Sequence, residues 1–216
     1  MQTIVAVVGG TGAEGSGLAA RFAQAGVRVR IGSRSVEKAH EAARSIGGQT
    51  TGHANPDAVA DATIVILTVP LSAQVETLKT IRGSLAPGAI VVDATVPLEV
   101  AIGGRVSRIL TLWDGSAAQQ AARLLPGVPV VAAFHALSAE ALAKLDRAID
   151  CDTLICGDNA EAKAAVKQLA ETIPGVRVID AGALDNARLL EGAAALLISL
   201  NLRHKVKDSG LRITGL

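Results

Sequence analysis

The stretch that most constrains this chain runs over residues 4–17, IVAVVGGTGAEGSG. Residues 4–8 form a short apolar run rich in β-branched side chains, the composition of a strand buried on both faces. Gly10-Thr11-Gly12-Ala13-Glu14-Gly15 follows at once and fits G-x-G-x-x-G. Leu18, Ala19, Phe22 and Ala23 then recur at helical spacing. Strand, glycine turn and helix come in the order that a dinucleotide site requires. The first glycines permit a tight turn and close approach of backbone to a pyrophosphate. The later one lets helix and strand pack closely, and the helix N-terminus faces the phosphates. Glu14 falls in the opening turn, where it suits the helix dipole but would repel a phosphate, so it is expected to point outward.

A site for NAD usually places a carboxylate about twenty residues further on, to bind the ribose hydroxyls. Here residues 27–31 read as the second strand, and it ends in Gly32-Ser33-Arg34, with Lys38 one helical turn later. A hydroxyl and two cations in place of a carboxylate suit a 2′-phosphate, which Arg binds bidentately and Lys as a point charge. The expected cofactor is therefore NADP(H) rather than NAD(H). A solvated helix start pairing these cations with Glu37 is the plainer alternative.

The remaining composition excludes several function classes. The chain has 216 residues, half of them hydrophobic, and a formal net charge of +1. That charge gives no bulk attraction to nucleic acid or anionic membrane. With two phenylalanines, one tryptophan and no tyrosine, no stacking platform for single-stranded nucleic acid can be built. Any planar cofactor must lie against aliphatic side chains and backbone. No apolar run reaches the length of a membrane span, and the start lacks the regions of a signal peptide. Cys151 and Cys156 have C-x4-C spacing without a second ligand pair, so reduced thiols are expected and no metal site. These features fit a cytoplasmic protein with small-molecule partners. A homodimer is compatible with the sequence.

Taken in order, strands are expected at residues 49–53, 63–68, 90–93, 128–134, 153–156 and 176–179. Helices are expected at 36–46, with Ser35 as cap and Gly47-Gly48 as stop, and at 56–60, 72–81, 117–125, 140–145, 160–173 and 186–205. Strands alternating with helices argue for an α/β, Rossmann-type, doubly wound and mostly parallel sheet with a small C-terminal extension. A soft division near residue 150 gives an NADP-binding part, 1–150, and an extension, 151–216. Residues 94–116 are the least regular, which in a compact fold often marks function.

Ligands in such sheets lie beyond the carboxyl ends of the strands. Thr68-Val69-Pro70, residues 94–97 and Ala133-Phe134-His135 qualify besides the glycine turn. His135 is the one histidine expected there; His40, His53 and His204 read as surface residues. No G-x-S-x-G turn and no paired carboxylates suggest hydrolysis. Hydride transfer needs neither, because the cofactor carries the chemistry and the protein orients it.

VVGGTGAEGSGLA, IGSR, LTVP, DATVPL, GSAAQQAARLLP, VVAAFHALSAEAL, DAGALDNARLLE and the closing SGLRITG together resemble the NADPH-dependent reductases of coenzyme F420, over nearly the whole chain. The resemblance implies hydride exchange between NADPH and an 8-hydroxy-5-deazaflavin. In family terms Gly10, Thr11 and Gly12 match the pyrophosphate loop, Ser33, Arg34 and Lys38 the 2′-phosphate site, and Val69 and Pro70 a segment along the NADP. His135 matches a residue near deazaflavin and nicotinamide. Leu184, Asn186 and Arg188 match a segment enclosing the deazaflavin pocket, which the extension 151–216 would complete. Asp185 stands where family members often carry serine. Since F420 is anionic, its carboxylate is expected to cap the last helix instead of facing the pocket. A reductase of a flavin or metal chelate, and a non-catalytic NADP-sensing module, are the alternative readings.

Overall fold

The computed structural model describes residues 3–216. Eight strands form one sheet in the order β3-β2-β1-β4-β5-β6-β7-β8. They are β1 (Ile4–Val8), β2 (Arg28–Ser33), β3 (Thr50–Ala54), β4 (Ile64–Leu67), β5 (Ile90–Asp93), β6 (Val130–Ala132), β7 (Cys151–Gly157) and β8 (Val176–Asp180). The pairs from β3 through to β6 are parallel. β7 runs antiparallel to β6, with Ala132 opposite Cys156, and β8 is parallel to β7. The mostly parallel, Rossmann-type sheet is the one expected, with the C-terminal strands continuing it. Chain direction across the sheet reverses at β1, so a crevice opens between the ends of β1 and β4.

Burial explains why these segments are strands. Val5 and Val7 face one hydrophobic cluster, with Leu18, Phe22, Ile31 and Ile66. Ala6 and Val8 face the other, with Val65, Leu67, Leu78 and Ile81. A strand covered on both faces reads as a continuous apolar run because neither alternate set meets water.

The helices are α1 (Ala13–Gln24), α2 (Val36–Ile46), α3 (Asn55–Val59), α4 (Leu71–Ile81), α5 (Ala117–Leu124), α6 (Ala139–Ala143), α7 (Ala160–Ala170) and α8 (Ala187–His204). Ser35 caps α2 by accepting from the Lys38 amide at 3.3 Å, and Gly47 stops it at φ 76°. Two differences from expectation matter. β2 runs on to Ser33, because Gly32 and Ser33 still pair with β3. β6 stops at Ala132, because Phe134 takes φ 73°. That left-handed backbone costs a bulky residue on the order of 1–3 kcal/mol. It is held by complete burial of the ring and an edge contact with Phe22, centroids 6.1 Å apart. The turn it makes delivers His135 to the end of the sheet.

Two buried charges tie distant segments together. Arg21 of α1 is almost fully buried and donates to the carbonyls of Leu142 at 2.9 Å, Ala141 at 2.8 Å and Arg147 at 2.8 Å. It thus satisfies the carbonyl end of α6, where a cation is favoured. Asp152 of β7 is fully buried and holds the tail. It accepts from Arg177 at 2.6 Å, from Arg212 at 2.6 Å and from the Ile213 amide at 2.6 Å. The tail, residues 209–216, therefore has a fixed path without regular structure.

Candidate functional site

A groove of about 290 Å³ opens beyond the ends of β1, β2 and β4, lined by Thr11, Gly12, Ser33, Arg34, Lys38, Val69 and Pro70 among others. Seven of the expected site residues thus meet in one place although they come from three separate loops. The turn is built as the sequence implies, with one addition. Gly9, at φ 88°, is the glycine that bends the chain. The Gly12 amide donates to the Gly9 carbonyl at 2.9 Å, and Gly12 precedes α1 with no side-chain cap. The first amides of α1 are left to a ligand, and an anion suits them. Gly10 lies buried under the turn, where a Cβ would meet the Val7 carbonyl at 2.8 Å. A Cβ on Gly15 would meet Thr68 Oγ1 at 2.5 Å and the Gly9 carbonyl at 2.7 Å. That is the close helix–strand packing its position in the motif implied.

At the tip of β2, Ser33 Oγ accepts from the Ser35 amide at 3.2 Å. Glu37 is engaged by the Ser35 hydroxyl at 2.8 Å, which holds its carboxyl below the usual range along with its own backbone amide. Arg34 and Lys38 are exposed and form no ion pair with Glu37. The helix start is solvated, as in the plainer alternative, but the pairing of these cations with Glu37 does not form. Two residues that sequence reasoning missed also line the groove. Asn55 is buried and its Oδ1 lacks a partner, and Thr77 lies nearby. The signal for Asn55 was its place at the end of β3, the next strand over.

A second cavity, of about 270 Å³, lies on the other side of the glycine turn, with no lining residue in common with the first. His135, Val96 and Glu14 line it, with Leu197 and Asn201 of α8 and Lys207 and Ser209 of the tail. Both ring nitrogens of His135 are buried without a partner. Burial pushes its imidazole down to about 4, opposed by the nearby Thr95 backbone. Two buried ring nitrogens without a protein partner of hydrogen-bonding geometry suit contact with a ligand in the cavity.

Glu14 does not point outward. Residues 14, 18 and 22 share one face of α1, and Leu18 and Phe22 are fully buried, so helical phase turns Glu14 inward with them. Burial, then the charge of Asp93, push its carboxyl up to about 8. Asp93, fully buried at the end of β5, accepts from Gln74 at 2.7 Å and the Thr95 amide at 2.9 Å. Burial outweighs these bonds and raises it to about 6. Glu191 of α8 accepts from the Ala118 amide at 3.2 Å, and burial raises it to about 8. The sequence offered these acids only as single carboxylates beside apolar residues.

The segment 184–188 packs elsewhere. Leu184 is part of the core, and Asn186 Nδ2 donates to the Ala181 carbonyl at 2.7 Å. Arg188 is exposed at the start of α8. Asp185 does not cap α8, whose N-terminus has no side-chain cap. It accepts from Gln119 Nε2 at 3.1 Å instead, because the turn at Leu184–Asn186 presents it to α5. Cys151 and Cys156 are free and buried, and burial pushes the Cys156 thiol up to about 12, far from nucleophilic range. Among the described residues no cluster of His, Cys, Asp and Glu is arranged to hold a metal ion, and no helix is long and apolar enough to cross a membrane.

Residues 4–97 match the family described as NADP oxidoreductase coenzyme F420-dependent. The chain is 48% identical over 221 residues to the F420-dependent NADP reductase of Methanothermobacter thermautotrophicus, covering 98% of this chain and 95% of the relative. It is 42% identical to the protein of the same name from Methanocaldococcus jannaschii, covering 98% of each. In three dimensions it superposes on a crystal structure described as a putative F420-dependent NADP reductase from Arthrobacter sp. FB24. The TM-score is 0.85 at 24% identity, over 99% of this chain and 100% of that one, a likeness of fold.

Proposed function

This chain belongs to the F420-dependent NADP reductase family, and from that premise we propose how its residues move a hydride between NADPH and coenzyme F420. Thr11 and Gly12 cradle the pyrophosphate at the open end of α1, while Gly10, expected there too, is buried beneath the turn with its amide given to the Val7 carbonyl. Ser33, Arg34 and Lys38 bind the 2′-phosphate. Val69 and Pro70 guide the dinucleotide along the carboxyl edge of the sheet, so that the nicotinamide reaches the cavity beside His135 and Val96. The deazaflavin stacks over it from the side of α8 and the tail. Residues 151–216 complete that pocket, with Arg188 exposed for the anionic tail of F420 and Leu184 and Asn186 holding the turn that presents it. Asp185, tied to Gln119, does not oppose the anion at the ring. Two buried thiols suit a reducing compartment, and we place the protein in the cytoplasm.

The observation that carries this reading is the pair of cavities either side of the glycine turn, one lined by cations without carboxylate partners, the other by a histidine whose ring nitrogens lack partners. The reaction then depends on holding two planar rings at reacting distance between aliphatic walls. The test is direct. Mixed with NADPH and oxidised F420, the protein bleaches the visible absorption of the deazaflavin, and with FMN or FAD it does so far more slowly. Reduction of the flavins at equal rate would favour another acceptor; binding of NADPH with no acceptor reduced would favour a sensor.

A further inference from the structure

Glu14, partly buried in the first turn of α1, lines the second cavity. Thr11 and Gly12, just before it, line the dinucleotide groove, whereas Glu14 itself lines the cavity of His135 and Val96. Its carboxyl is unpaired with any cation among the described residues. The charged and titratable groups around it come from four elements. Asp93 ends β5, His135 follows β6, Glu140 begins α6, and Lys207 follows α8 at the exposed rim. The charge of Asp93 also raises Glu191 of α8. His135 stays neutral, so the inner wall holds acids and no positive charge.

We propose that Glu14 senses the charge of the nicotinamide ring, favouring the cationic oxidised ring over the neutral reduced one. This rests on the reading above that the nicotinamide occupies the cavity beside His135. A carboxyl kept neutral by burial beside another acid ionises when a cation arrives, because opposite charge favours the charged form. In turnover the hydride, with its electron pair, leaves C4 of the nicotinamide for C5 of the deazaflavin and the ring becomes a cation. Glu14 then loses its O–H proton. The reduced deazaflavin takes up one proton, so the two balance, and solvent restores the proton to Glu14 when NADP⁺ departs.

The test reads binding, without F420. Kd values for NADP⁺ and NADPH are measured by calorimetry from about pH 6 to about pH 9, on wild type, Glu14→Gln and His135→Asn. The 2′-phosphate is common to both ligands and cancels in their ratio. In wild type, preference for NADP⁺ rises with pH by up to about tenfold per unit, the limit for one linked proton, and levels off above about pH 8. Below about pH 8, where Glu14 is still protonated in the free protein, NADP⁺ binding also releases a proton into weak buffer. Glu14→Gln gives a flat ratio and no proton release, while His135→Asn keeps the slope. A flat ratio in wild type, or an unchanged slope in Glu14→Gln, overturns the proposal. The wild-type arm decides even if the variant binds neither ligand. Failure of the F420 assay with the binding slope intact would instead overturn the acceptor, and absence of binding by wild type would overturn the site.

Discussion

Arg34 carries a guanidinium where an NAD site would carry a carboxylate, and it is free of Glu37. Arg34→Ala is therefore expected to weaken NADPH binding by about 1.5–3 kcal/mol for each charge-assisted hydrogen bond lost, leaving NADH nearly unchanged. Titration of both cofactors checks this, and equal losses would deny Arg34 the 2′-phosphate. His135 sets the second expectation at this scale. Its folded value, about 4, lies below the ordinary 6.5, so it is neutral across the working range and cannot donate a proton near neutrality. His135→Ala should slow single-turnover hydride transfer by less than the roughly hundredfold typical of a lost acid–base group. No inflection near pH 6.5 should disappear with it. The charge pattern of Ser33, Arg34 and Lys38 was legible in the sequence because the first two sit at the tip of β2 and Lys38 one helical turn later in α2. The role of Glu14 was misread because its place in the first turn was weighed and its phase with Leu18 and Phe22 was not.

The first strand–turn–helix unit does two jobs with glycines that differ in surroundings. At Gly12 a Cβ would meet only the Gly9 carbonyl, at 3.3 Å, and the backbone is ordinary. Gly12→Val should fold normally and lose NADPH binding, because the new side chain fills the place of the pyrophosphate. At Gly15 the same change would drive a side chain into Thr68 and the Gly9 carbonyl. Gly15→Val should lower the melting temperature sharply as well, by forcing α1 off the sheet. Circular dichroism beside a binding titration separates the two. At this scale the sequence was informative. The elements were legible from periodicity and capping, but β6 is shorter than expected at both ends, and at its carboxyl end a left-handed Phe134 carries no sequence signal.

Across the whole molecule, Asp152 links the sheet to the tail, and tail residues Lys207 and Ser209 close the cavity that holds His135. The paired arginines hold the Asp152 carboxyl well below its usual range. Its stabilisation is therefore present above the unfolded value near 3.8 and lost as pH falls toward the folded one. Asp152→Ala should cost about 1.5–3 kcal/mol by removing a buried carboxylate's charge-assisted bonds to two half-exposed arginines. It should also raise KM for F420 while leaving the Kd for NADPH unchanged. Denaturation curves and steady-state kinetics with each substrate varied test both halves. Sequence alone determined the strand–helix alternation, the phosphate turn and the preference for NADP, since each is written in neighbouring residues or in a fixed helical spacing. Only the tertiary structure decided that Glu14 turns into the cavity of His135, that Asp93 bears on both Glu14 and Glu191, that Asp185 answers Gln119, and that Lys207 and Ser209 line the same cavity as His135. Those facts depend on which residues meet across the sheet, over separations that no local pattern encodes, and burial there rather than residue type sets the charge of each acid.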